Sequence, residues 1–402
     1  MITKQRTNRL LRYTAISLLL LPASPLMAQI ALPTHHNQTI IDHSIMQQSK
    51  IEVVFALDTT GSMSHLIHAA KEKIWSIAST MASAHSAPDI KMGLIAYRDR
   101  GDAYVTRSVA LSNDLDSVYA KLIDFKAGGG GDTPESVNQA LYDAVNSMQW
   151  NPNPNTYKVI FLVGDAPAHM DYQDDVKYPK TIAMAKRKGI IINTIQAGDK
   201  YETKLQWDHI AHLGAGDFFQ VEQTGNAVAF STPYDKQLAD LSSQLDNTRL
   251  YYGNKAEKRE QEMKVQATSK LNKEASEESL ARRATFNVSK SGKKNLLGKG
   301  DLIEEISNGD IALEDIPTEQ LPVSIQAMDV EQQKALIAKT KQQRSEIEKE
   351  IKQLAAQREQ YLKQKVAESG SKKDSLDDKI YQSIKSQAKD KGIIYSEDSA
   401  RY

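Results

Sequence analysis

Three short stretches of this 402-residue chain carry the oxygen side chains that a hard cation takes. Asp58-Thr59-Thr60-Gly61-Ser62 puts a carboxylate and two alternate hydroxyls on one tight loop, with Gly61 easing the turn. Residues 128–131 (GGGG), followed by Asp132-Thr133-Pro134-Glu135, form a flexible loop that delivers a hydroxyl just before a predicted helix, with Pro134 in its first turn. Gly164-Asp165-Ala166-Pro167 adds a second carboxylate. Asp58, Thr60, Ser62, Thr133 and Asp165 supply only oxygens, which suit Mg²⁺, Mn²⁺ or Ca²⁺, and no thiolate or imidazole that would point to zinc. Two carboxylates and three neutral hydroxyls leave such an ion incompletely satisfied. A protein partner's Asp or Glu carboxylate can complete it, so the chemistry is recognition, and no catalytic group is required.

The elements that must position these loops follow from hydrophobic patterning. Residues 51–58 (IEVVFALD), 90–97 (IKMGLIAY), 157–163 (YKVIFLV) and 190–197 (IIINTIQA) are short continuous apolar runs, as in strands buried on both faces. Helical stretches at 64–84, 113–125, 134–148 and 176–188 alternate with them. Residues 105–111 read as an edge strand, 218–221 as the last strand and 234–250 as a closing helix. Such alternation predicts an α/β fold with a doubly wound, mostly parallel sheet flanked by helices, spanning 51–250. In that architecture ligands bind beyond the carboxyl ends of the strands, where the acidic loops fall.

DTTGS at 58–62, GGGDTPE at 129–135 and VGDAP at 163–167 resemble the metal-ion-dependent adhesion site of von Willebrand factor A domains. Carried over residue by residue, Asp58, Thr60 and Ser62 match the first motif, Thr133 the threonine loop and Asp165 the last aspartate. Serine is commoner at the position of Thr60, a mild change that keeps the hydroxyl. AYRDRGD at 96–102 and GDAPAHMDYQDDVKY at 164–178 resemble the bacterial and alpha-kinase-associated branch more than the integrin branch, although no kinase domain follows. DLIEEISNGDIALEDIPTEQLP at 301–322 is similar to what some exported bacterial members carry. The resemblance implies a Rossmann-like domain that binds protein through Mg²⁺, or Mn²⁺ or Ca²⁺ in its place.

Composition limits the alternatives. Lys plus Arg and Asp plus Glu both total 51, so no net field favours nucleic acid. At the N-terminus, Lys4, Arg6, Arg9 and Arg12 precede an apolar run at 14–21 that Pro22 ends, which reads as a signal peptide over 1–28, with a polar linker at 29–50. That run is short for a spanning helix, and no later segment could cross a bilayer once the signal is removed. Cysteine is absent, which excludes disulfides and thiolate chemistry. The expected location is the periplasm or the extracellular space.

Beyond 250 the composition turns to Lys, Glu, Gln, Ala and Ser, with few apolar residues for a core. The reading is a mainly helical charged tail with coiled-coil tendency: a charged helical or flexible segment at 251–300, a small helical segment at 301–325, a long helix or hairpin at 326–369, and a C-terminal helix and tail at 370–402. Ile347, Ile351, Leu354 and Tyr361 form a seam that Arg358 interrupts. Such a seam needs a partner surface, by self-association, hairpin packing or docking. Two rival functions remain: a haloacid-dehalogenase-like phosphotransferase with Asp58 as nucleophile, and a structural envelope protein with a vestigial metal site. Arg100-Gly101-Asp102 reads as a structural turn, and Asp171, Asp174 and Asp175 as a solvated acidic loop.

Overall fold

The computed structural model describes residues 48–131, 133–221, 231–368 and 376–395. The predicted signal peptide and nearly all of the linker lie outside them. Six strands form one sheet: β1 (Lys50–Asp58), β2 (Asp89–Tyr97), β3 (Thr106–Ser112), β4 (Tyr157–Gly164), β5 (Ile190–Ala197) and β6 (Phe218–Val221). Their order is β3-β2-β1-β4-β5-β6, with every neighbouring pair parallel except β2 with β3. The chain therefore leaves β1 toward one edge and returns beside it as β4. That reversal opens a crevice at the carboxyl ends of β1 and β4, where doubly wound sheets take ligands.

The period-2 alternation of a strand divides β1 between two cores. Ile51, Val53, Phe55 and Leu57 join one apolar cluster with α1 (Ser64–Ala82) and α2 (Leu115–Asp124). Val54 and Ala56 join the other with α3 (Val137–Asn146), α4 (Tyr178–Arg187) and α5 (Tyr201–Leu213). The helix expected from Pro134 starts only at Val137, so Pro134 lies before it rather than in its first turn. The cause is a competing backbone pairing: Glu135 donates its N–H to the Pro167 carbonyl at 2.9 Å and forms a parallel bridge with Ala168.

The division expected at 250 does not appear in the packing. After α6 (Asp235–Asp246), the helices α7 (Lys255–Glu274), α8 (Glu277–Asn287), α9 (Lys293–Leu297), α10 (Leu302–Asn308), α11 (Val330–Glu368) and α12 (Leu376–Lys389) fold back, and residues 47–402 cluster as one compact unit. Apolar residues are sparse there, but those present are spent on the sheet. Leu271, Leu280, Phe286, Ile380, Tyr381 and Ile384 belong to the same cluster as β1. Residues 302–337 make a small core of their own from Leu302, Ile303, Leu313, Ile316, Leu321, Ile325 and Ile337.

Of the two options at 326–369, the structure has the single helix α11, 39 residues long. Its seam is covered within the chain, because Ile347 and Ile351 are buried with Leu238, Leu245 and Ala281 of α6 and α8. Arg358, which breaks the seam, donates from Nε to Asp235 at 2.6 Å. Among the described residues no helix is long and apolar enough to cross a membrane.

Buried ion pairs fix the tail to the domain. Arg283 of α8 is fully buried and forks onto Asp116 of α2 at 2.7 and 2.6 Å and onto Asp246 of α6 at 2.9 and 2.8 Å. Arg344 of α11 grips Asp301 in the same way at 2.8 and 2.9 Å. Burial works against the charged Asp116 carboxylate, but the Arg283 charge and hydrogen bonds outweigh it and hold the group below the usual carboxylate range. A depressed value contributes stability that is present above the unfolded value of about 3.9 and is lost as pH falls below it. Arg283→Met is expected to cost about 3–5 kcal/mol in chemical denaturation, because two buried carboxylates lose the guanidinium that binds both. It should also flatten the loss of stability on acidification; a variant as stable as the parent would refute the clamp.

Candidate metal centre

Both acidic ends are buried where β1 and β4 run side by side: Asp58 is 0 % and Asp165 1 % exposed. Only glycine fits between them, since a Cβ on Gly164 would stand 2.5 Å from Tyr97 Oη and 2.9 Å from Asp58 Cβ. Thr60 turns back over Asp58 and donates to its Oδ1 twice, from the backbone N–H at 2.8 Å and from the hydroxyl at 2.7 Å. The Thr60 and Ser62 hydroxyls are 3.2 Å apart, and Ser62 donates to Asp165 Oδ1 at 3.1 Å. Four of the five sequence-predicted residues are thus strung on one chain of hydrogen bonds.

Thr133 stands apart from that chain. It is exposed, and no hydrogen bond joins it to the other four among the described residues. Its loop, however, lies directly over theirs. Gly61 donates to the Gly129 carbonyl and Gly128 to the Thr59 carbonyl, each at 3.1 Å. Gly129 and Gly130 take positive φ, and a Cβ on Gly130 would lie 3.1 Å from Thr60 Cβ. The glycine run is therefore a close backbone approach rather than loose loop.

The other oxygens of the two aspartates, Asp58 Oδ2 and Asp165 Oδ2, are buried with no hydrogen-bond partner. Burying a carboxylate oxygen without a donor is costly, and a cation, a proton or an ordered water relieves it. Burial pushes Asp58 up to about 7, against the lowering effect of the Thr60 hydrogen bonds and with Asp165 raising it further. Hydroxyl and amide groups are the only donors to these two side chains among the described residues. The residues therefore fit a small divalent ion. Among the described residues no three His, Cys, Asp or Glu side chains form a metal cage, so an ion here would rest on two carboxylates and on hydroxyls.

Sequence reasoning missed a third acid. Glu135 sits two residues after Thr133, is buried, and leaves Oε2 without a partner. Burial pushes it up to about 9, helped by the charges of Asp58, Asp99, Asp102 and Asp165. GGGDTPE contained it, but nothing in spacing shows that the bridge to Ala168 turns it inward.

The surrounding loops are tied together by polar contacts at a rim that is still partly solvated. Asp102 accepts from Gly130 N–H, while Arg100 pairs with Asp174 at 2.9 Å and Asp175 at 2.6 Å and lies over the Tyr172 ring. The tripeptide at 100–102 is thus the structural turn expected. The acidic cluster is solvated at Asp171 and Asp174, as expected, and also paired: Asp171 faces His169 Nδ1 at 2.8 Å, and the other His169 nitrogen is 3.3 Å from Asp99. Ser136 and the Tyr172 hydroxyl complete Asp99 at 2.7 and 2.8 Å.

A doubly wound sheet with oxygen side chains converging at its switch point defines an α/β domain of the Rossmann-like kind, built to present a ligand site on loops. Within that class, residues 52–231 match the profile of the von Willebrand factor A domain, and this stretch of the chain is such a domain. Domains of this family are commonly metal-dependent protein-interaction modules. The alpha-protein kinase vwkA of Dictyostelium discoideum is 32% identical over 120 residues, covering 30% of this chain and 19% of that protein. The chain thus spans about a fifth of that relative. Solved structures with a similar fold include a von Willebrand factor type A protein from Catenulispora acidiphila, 18% identical over 43% of this chain and 39% of that one, TM-score 0.33. Another is proximal thread matrix protein 1 from the mussel byssus with a zinc-occupied MIDAS motif, 14% identical over 45% and 43% of the two chains, TM-score 0.36.

The unpaired acids set a pH response for the metal-free protein. Asp58 and Glu135 are held above their unfolded values, so their contribution to stability is full below about pH 4 and is lost as pH rises through about 7 and about 9. In chelator the protein is expected to melt higher at pH ~5 than at pH ~8.5. Asp58→Asn, which keeps an acceptor for Thr60, should raise the melting temperature at pH ~8.5 and narrow that gap; equal melting of parent and variant would contradict the assignment.

Proposed function

We propose that this chain is a divalent-cation-dependent protein-binding module of the bacterial envelope, exported to the periplasm or secreted. Asp58, Thr60, Ser62, Thr133 and Asp165 would hold the ion, Mg²⁺ or in its place Mn²⁺ or Ca²⁺. When bound, the ion supplies an electrophilic site for an Asp or Glu carboxylate of a protein partner. The observation that carries the reading is the pair of buried aspartates on adjacent strand ends, each with one oxygen lacking a donor. The chain's own groups do the rest: Thr60 and Ser62 orient the carboxylates, and backbone bonds hold the glycine loop that precedes Thr133 over theirs. Export rests on the signal-like residues 1–28 alone.

The phosphotransferase alternative is less well supported. A phosphorylated Asp58 would place its anionic group among Asp165 and Glu135, and no Lys or Arg hydrogen-bonds to Asp58 among the described residues to offset it. Self-association along the α11 seam is not part of this reading, since Ile347 and Ile351 face the chain's own helices.

Calorimetric titration of Mg²⁺, Mn²⁺ and Ca²⁺ into the full chain should show one saturable site. Asp58→Ala is expected to abolish it and Thr133→Val to weaken it about tenfold or more, ~1.4 kcal/mol. A phosphatase assay alongside should show no turnover. Turnover lost in Asp58→Ala would favour the phosphotransferase, and no ion uptake by the parent would mark the site as vestigial.

A further inference from the structure

A second site lies away from the acidic crevice, where the folded-back tail meets the first helix of the domain. α1, α8 and α11 enclose a cleft of about 580 Å³. Its α1 wall is a stripe of hydroxyls, Ser76, Ser79 and Thr80 with the capping Ser83, at i, i+3, i+4 and i+7. Among the described residues, Arg282 of α8 with Lys352 and Arg358 of α11 supply three cationic side chains to the lining, against one carboxylate, Glu359.

Arg358 points this cleft toward a ligand. It is 8 % exposed, and Asp235 uses only its Nε, leaving Nη2 buried with no acceptor. A buried guanidinium N–H without an acceptor is unfavourable, and an oxyanion answers it with the fork geometry that guanidinium matches best. Ser79 Oγ, on the facing wall, is likewise buried without a partner. The cleft is much larger than a bare phosphate needs, and its hydroxyl wall offers both donors and acceptors to a polar body.

We propose that the α1–α8–α11 cleft binds a small polyhydroxylated phosphomonoester, its phosphate on Arg358 and Lys352 and its hydroxyls along α1. The site is independent of the metal centre. It exists only because the tail packs on the domain, so the ligand bridges the two and holds α11 against α1.

Calorimetry on the full chain in chelator, which silences the metal site, tests this with glucose 6-phosphate, glucose and inorganic phosphate as probes. Glucose 6-phosphate is expected to bind saturably and more tightly than inorganic phosphate, and glucose not to bind. Lys352→Glu, at an exposed position, should weaken glucose 6-phosphate at least tenfold with unchanged circular dichroism. Arg358→Lys keeps a charge for Asp235 but removes the fork, and should also weaken it about tenfold. If Arg358→Lys fails to fold, Lys352→Glu alone decides. Absence of binding, equal binding of glucose, or affinity untouched by Lys352→Glu overturns the proposal.

Discussion

Asp58 and Asp165 sit at the carboxyl ends of adjacent strands, where the sheet's order reverses, and each carries one oxygen that the protein does not pair. Leaving two such buried oxygens unpaired is expensive in the absence of a cation. The local structure is arranged around tolerating that cost. Gly164 removes the side chain that would clash with Asp58, and Thr60 and Ser62 tie up the remaining oxygens. The 128–135 loop closes over the top through backbone bonds, and its own Glu135 adds a third buried acid.

A crevice under such electrostatic strain needs rigid walls, and the chain draws them from its whole length. Arg283 joins α2, α6 and α8 through Asp116 and Asp246, while Arg344 and Arg358 tie α11 to Asp301 and Asp235. α12 lies on the sheet itself, with Gln387 bonded to Tyr157 and Asn193. The charged tail is therefore a structural jacket, held by buried Arg283, Arg344 and Arg358 and by apolar residues such as Leu271, Leu280, Ile351 and Tyr381 that face inward.

The sheet was readable from sequence because its strands are unbroken apolar runs and its helices alternate with them; β1, β2, β4 and β5 fall within a residue or so of the runs that predict them. The candidate ligands were readable because DTTGS and VGDAP sit directly after such runs. What escaped depends on long-range packing. Pro134 looked like a helix start, but the pairing of Glu135 with Ala168 delays the helix to Val137. Glu135, Asp99 and His169 lay inside quoted motifs, yet their convergence comes from loops of different strands. The tail misled because sparse apolar residues suggested no core, when those residues were completing the domain's own.

The central claim is that the two unpaired aspartate oxygens await a cation, and crystals grown with Mn²⁺ test it most directly through anomalous scattering. A single anomalous peak among Asp58, Thr60, Ser62, Thr133 and Asp165 is the predicted result. A peak elsewhere, or none at saturating Mn²⁺ with both carboxylates ordered, would contradict it.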